Sequence, residues 1–289
     1  MVVLAALGRI FVRALIVVLI AGIASATLVR FAPGFFSSEE NLDYRLAPDT
    51  LAALKNEQAA GSNPLRFFVD YSSNLLRGRA GRSVVFGRPV NELIRRRAPV
   101  TIATVGWGLA IGWAVAVLVA TISALSRWGP LSYAFTFAGS SLAALPAVVL
   151  ATFCVLFGLP PASAVAALVF PRVYAHAIAQ LRAAQTAPHV LAAQARGLRP
   201  FRTFLFHVAP PALWPIIALA GVSLPMAFSA VIPVEALSDS PGLGQLAWRA
   251  ALGRDLPVLV SITLLLAVAT VAANGGAELA GIYLRRGRR

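Results

Sequence analysis

Residues 14–29, 100–123, 131–157 and 212–233 contain no charged side chain, and residues 256–284 carry only Glu278. Crossing the hydrocarbon core of a bilayer takes about 20 residues as a helix. Within that core the backbone must satisfy its own hydrogen bonds, so runs of this length are helices or barrel strands. Barrel strands alternate apolar and polar residues, and these runs do not. The chain is therefore expected to be an all-α membrane protein. A mean hydropathy of +0.78, with 58% hydrophobic and 12% charged residues, agrees with that reading.

A further span is expected within 162–184, although Pro171 and Arg172 interrupt it. Proline is tolerated in a spanning helix when neighbours re-pair the freed backbone groups. Pro146 is expected to kink the span at 131–157, and Gly158–Pro161 to form a tight loop. Six spans result. Residues 31–98 form the longest polar section, with helices expected over 48–57 and 65–76, and residues 234–255 form a second. The organisation expected is an N-terminal helix at 1–30, an extramembrane section at 31–98, a five-helix core at 99–285 and a basic tail at 286–289. An alternative reading of the first run is a cleaved signal peptide, with Ala24-Ser25-Ala26 as the cleavage site.

Six spans put both termini on one side. With the termini inside, the inside segments hold Arg9, Arg13, Arg127, Arg182, Arg196, Arg199, Arg202, Arg285, Arg286, Arg288 and Arg289, against Arg249 and Arg254 in the short outside loops. The positive-inside rule then places residues 188–207 and both termini in the cytoplasm. Arg95, Arg96 and Arg97 end a long section, and long sections largely escape that rule. The formal net charge of +14 is accounted for by topology charges beside spans, and no nucleic-acid partner is expected.

The segment 188–207 is a polar, arginine-bearing island. Pro188 suits the first turn of a helix, Gly197 suits a helix stop, and Pro200 restarts the chain. Ala192, Ala193 and Ala195 give a face with almost no side chain, which permits close approach to another backbone.

This island resembles the coupling loop of membrane subunits in bacterial ATP-driven importers, through Ala192, Ala193, Gln194, Ala195, Arg196, Gly197, Leu198 and Arg199. The acid usual in that motif is replaced by Leu191, as in the dipeptide, oligopeptide and nickel permeases. Val234-Glu235-Ala236-Leu237-Ser238-Asp239-Ser240-Pro241-Gly242-Leu243-Gly244, followed by Arg254-Asp255-Leu256-Pro257, resembles that branch's outer loop before its last span. Ala32-Pro33-Gly34 and Arg88-Pro89-Val90 are weaker matches. In Gly78–Ser83, Arg79 stands where the family usually has an acid.

The resemblance implies a type I permease fold in an ATP-binding-cassette importer of the inner membrane. It implies a second permease subunit, two ATPase subunits that bind ATP and magnesium, and an extracytoplasmic substrate-binding protein. The solute would be peptide-like, nickel or glutathione-like. Glu235, Asp239, Pro241, Gly242, Gly244 and Asp255 would lie on the binding-protein side, either receiving that protein or shaping a turn.

The chain has no phosphate-binding loop, and Lys55 has no glycine-rich neighbour. It is therefore expected to be no enzyme, with hydrolysis carried by other chains. His176, His189 and His207 lack metal-ligand spacing, and the lone Cys154 cannot pair within the chain. Polar residues inside spans are costly and often functional. Arg172 and His176, four apart on one helix face, either line a water-filled pathway or respectively snorkel and pack between helices. An ATP-independent transporter or channel is the alternative; it predicts intramembrane acids or inverted repeats, and only Glu278 fits.

Overall fold

The computed structural model describes residues 80–126 and 129–286, and helical positions 8, 10, 12, 13, 15–22 and 24. The helices expected over 48–57 and 65–76, Arg79, and the end of the basic tail lie outside the described residues.

Among the described residues every regular element is a helix. They are α1 (Val90–Leu125), α2 (Gly129–Ala144), α3 (Ala147–Leu156), α4 (Pro161–Gln185), α5 (Pro188–Ala195), α6 (Pro200–Thr203), a π-helix (Phe204–Val208), α7 (Ala209–Ala218), α8 (Ala220–Leu237), α9 (Leu243–Leu252) and α10 (Leu256–Arg286). One isolated antiparallel bridge, Arg82 to Pro89, precedes α1. Among the described residues four helices, α1, α4, α8 and α10, are long and apolar enough to cross a membrane, and α2 with α3 makes a fifth if the bent pair is one span.

The described residues divide into two compact units. One lies within Met1–Ile10, Ala98–Gln245 and Ala269–Arg289; the other lies within Phe11–Arg97 and Leu246–Val268.

In the first unit the core is built around α4. Val165, Val169, Val173, Tyr174, Ala177, Ile178 and Leu181 are buried against Ala116 and Ala120 of α1, Val190 of α5, Ala212 and Ile216 of α7, and Ala227 and Val231 of α8. Two glycines bring α1 onto α4. A Cβ at Gly108 would stand 2.6 Å from Val165, and one at Gly112 would stand 3.0 Å from the Ala166 carbonyl. Small residues of this kind let membrane helices pack backbone to backbone.

Four expectations change in detail. The span at 131–157 is broken rather than kinked: its halves meet at 100°. Proline drives the preceding residue out of the helical region, and Pro146 itself is extended, with ψ 147°. The span at 212–233 is also divided, at Leu219, and α8 continues to Leu237, past Pro233 and into the expected polar section. α1 starts at Val90, ten residues before its apolar run, so Arg95, Arg96 and Arg97 lie in its opening turns. Glu92 supports that start through the helix dipole and a 2.8 Å pair with Arg96. α4, by contrast, runs unbroken through a buried Pro171.

Candidate functional site

The island at 188–207 folds as two helices around a glycine stop. Pro188 opens α5 at its first turn. At its end the Gly197 N–H donates to the Gln194 carbonyl at 2.9 Å and the Leu198 N–H to the Ala193 carbonyl at 3.4 Å. These are the two bonds of a Schellman stop, and they require Gly197 at φ 76°. Val190 and Ala193 turn inward and are buried. Leu191, Ala192, Gln194, Ala195, Arg196 and Arg199 face outward. Arg196 and Arg199 pair with no acid among the described residues.

Proline shapes the segment after α6. Pro210 and Pro211 have no N–H, so the carbonyls one turn earlier lose their helical donors. The chain widens there into the π-helix, and the His207 carbonyl accepts from His189 Nε2 at 3.1 Å. The same logic places His176. Leu219 bonds to Ile216 instead of Pro215, and the freed Pro215 carbonyl accepts from His176 Nε2 at 3.0 Å. His176 therefore faces α7, while Arg172 points elsewhere.

Arg172 lines a cavity of about 710 Å³ between α2, α4 and Met226 of α8. Its Nη1 donates to the Met226 sulfur at 3.3 Å. Arg182 lines the same cavity and donates to the Ser132 hydroxyl. The Thr136 hydroxyl donates to the Ser132 carbonyl at 2.8 Å, which leaves the Tyr174 hydroxyl to donate to Thr136 at 3.3 Å.

The motif at 234–244 is held from inside. Glu235 is fully buried. Its carboxylate accepts from the Thr101 hydroxyl at 2.8 Å and from the Gly244 N–H at 2.7 Å. Thr101 in turn accepts from the Leu243 N–H at 2.7 Å. One carboxylate, directly and through one hydroxyl, thus satisfies two amides at the start of α9, where the helix dipole also favours a negative charge. Gly242 and Gly244 are buried beside it. Asp239 and Pro241 stay at the surface; Asp239 adopts φ 51° and accepts from Gln245 at 2.5 Å.

In the other unit Asp255 is likewise fully buried. It accepts from the Ser83 hydroxyl, from the Val85 N–H at 3.1 Å and from the Val258 N–H at 3.4 Å. The last contact makes it the N-cap of α10. Asp255→Ala is expected to destabilise by about 2–3 kcal/mol, because a cap is lost and buried donors are left without an acceptor. Asp255→Asn retains an acceptor and is expected to cost about half as much. The midpoint of heat-induced aggregation of the detergent-solubilised protein measures both.

Ser83 and Thr101 carry no local sequence signal for these roles. Each becomes recognisable only once a partner distant in sequence is in place. Among the described residues no three His, Cys, Asp or Glu side chains gather as a metal site.

Residues 98–282 match the family model described as "Binding-protein-dependent transport system inner membrane component". Among curated relatives, the chain is 27% identical to the oligopeptide transport system permease protein OppB of Haemophilus influenzae, over 86% of this chain and 87% of that one. It is 25% identical to the oligopeptide transport system permease protein AppB of Bacillus subtilis, over 72% and 75% respectively. It is also 25% identical to the metal-staphylopine import system permease protein CntB of Staphylococcus aureus, over 81% of each. With well over half its length matched and helices able to cross a membrane, the chain belongs to the binding-protein-dependent transport system inner membrane components, the permease subunits of ATP-binding-cassette importers.

Proposed function

We propose that this chain forms half of an alternating-access pathway for a peptide-like solute and receives the driving force through residues 188–207. Relatives named as oligopeptide and metal-staphylopine permeases support the solute class. A second permease subunit completes the path. Two ATPase subunits bind ATP and magnesium, and a binding protein delivers the solute. The chain lies in the inner membrane with six spans. Both termini and the coupling loop are cytoplasmic, and residues 31–98 are on the opposite face. The core spans 99–285 and the basic tail 286–289.

One observation carries the coupling reading: α5 ends in a Schellman stop that leaves Ala192, Ala195, Arg196 and Arg199 on an outward face. Small side chains allow a groove on a partner to approach the helix backbone, and the guanidinium groups suit acids at its edge. On the other face, Asp239 and Pro241 offer the surface for a binding protein and Glu235, Gly242 and Gly244 fix the turn beneath it, while Asp255 caps the start of α10.

Affinity purification of the tagged chain from native membranes is expected to recover an ATPase subunit in stoichiometric amount. Replacing both Arg196 and Arg199 with glutamate is expected to lower that recovery at least about tenfold, since each charge reversal turns an attraction into a repulsion. Recovery of the chain without any ATPase would remove the coupling reading.

A further inference from the structure

We propose that the cavity between α2 and α4 recognises the carboxylate of the passing solute, with Arg172 as the residue that binds it; this rests on the importer reading above. Depth is the first constraint. Arg172 lies near the middle of α4, which runs from Pro161 to Gln185. At 1.5 Å per residue it is about 17 Å from one end of the helix and about 20 Å from the other. An arginine side chain is shorter than either distance, so this guanidinium does not reach a membrane surface by snorkelling. A charge at that depth faces protein or water rather than lipid.

The structure supplies little protein for it. Its one hydrogen-bond acceptor among the described residues is the Met226 thioether, a weak one for a group with five donors. Among the described residues no acidic side chain lines the cavity. Arg172 borders about 710 Å³ of space that Gly139, Ala143, Leu168, Ala175 and Ile178 also line. A fixed cation in an apolar, acid-free cavity is a site for an anion, and the planar guanidinium fork matches a carboxylate. Arg182, ten residues further along α4 and hence about 15 Å away along the axis, borders the same cavity. The two cations form a track: an anionic group leaving Arg172 meets a second guanidinium toward the Arg182 end.

The test uses the assembled transporter with its binding protein in vesicles, with trialanine and trialanine amide as probes. In the wild type the ratio of acid to amide uptake includes whatever the binding protein contributes. That contribution is the same in Arg172→Met, so the change in the ratio reports the permease alone. Loss of a charge-assisted hydrogen bond is expected to lower acid uptake about tenfold and leave amide uptake unchanged. Arg172→Lys is expected to restore part of the preference. Methionine removes a costly charge from mid-membrane, so the variant is expected to insert normally.

A second readout needs no transport. Phenylglyoxal is expected to modify Arg172 in the assembled wild type, as read by peptide mass mapping, and trialanine but not its amide is expected to slow that modification. If the wild type imports neither probe, the peptide reading fails and the protection experiment alone decides the site. Equal losses of acid and amide uptake in Arg172→Met would assign a structural role and overturn the proposal. An unreactive Arg172 would overturn it as well. So would protection by phosphatidylglycerol vesicles, relative to phosphatidylcholine vesicles, with none from trialanine, since the guanidinium would then belong to lipid.

Discussion

Gly197→Val is expected to reduce ATP-driven uptake to background while membrane insertion and pairing with the second permease stay normal. Gly197 stands at φ 76°, and nothing lies within 4 Å of where its Cβ would be. The obstacle is therefore conformational rather than steric. A side chain in the left-handed region costs about 1–2 kcal/mol, with β-branched residues worst. An eight-residue helix such as α5 is marginal by itself, so that strain is large enough to undo the stop. Undoing it releases the bonds from Gly197 to Gln194 and from Leu198 to Ala193 and redirects the chain before Pro200. Under the proposed coupling, the outward face bearing Arg196 would then meet the ATPase at the wrong angle. The open surroundings make a graded series informative. Alanine is expected to retain partial uptake, and asparagine, which tolerates the left-handed region, is expected to retain most of it. Uptake by the valine variant at the wild-type rate would remove the coupling role from this loop. A valine variant that loses uptake together with insertion would point to a folding defect instead.

The parts of the fold visible in the sequence are those set by local chemistry. Absent charge over 100–123 and 256–277 marks α1 and α10, and Pro188 and Gly197 mark the two ends of α5. The hidden parts depend on which backbone groups lose their partners and what replaces them. Pro146 announces a disturbance, but a kink and a 100° break share one sequence signature. Leu219 carries no signal of its own; the division there emerges where His176 serves the Pro215 carbonyl. Arg172 and His176 share a helical spacing, yet they diverge to a cavity and to α7, because side-chain direction follows available acceptors as well as position. Motif spacing marks Glu235 and Asp255 without revealing that both are buried. Their partners Thr101 and Ser83 lie 134 and 172 residues away in sequence, beyond any local pattern.

The turn before α9 yields the second large effect, and here the expected outcome is an interaction between two substitutions. A Cβ added at Gly242 would lie 2.1–2.3 Å from the Glu235 carboxylate, and the three nearest atoms it meets all belong to Glu235. Gly242→Ala must therefore displace a carboxylate that holds the Gly244 N–H and, through Thr101, the Leu243 N–H. Displacing it leaves buried donors unsatisfied and a buried charge poorly paired, a loss of about 3–5 kcal/mol. Glu235→Ala removes the carboxylate, leaves the Gly244 N–H and the Thr101 hydroxyl without that acceptor and opens a small cavity, for about 2–4 kcal/mol. Added independently, the two costs would prevent assembly. They are expected not to add: with the carboxylate absent, the methyl at position 242 occupies space that Glu235 has vacated. The double variant should then be no less stable than Glu235→Ala alone, a coupling of several kcal/mol between neighbours. The aggregation midpoint of the detergent-solubilised assembly measures this cycle. Single substitutions are expected to lower it by about 5–15 °C, and the double variant is expected to match Glu235→Ala. Gly244→Ala serves as the contrast. Its Cβ would meet the Ile232 Cα and the Val231 carbonyl at 2.8 Å, as well as Glu235 at 2.9 Å. That clash is with the α8 backbone, so Glu235→Ala is expected not to rescue it. Strictly additive midpoints for the 235 and 242 pair would mean that the carboxylate and the glycine do not share this space.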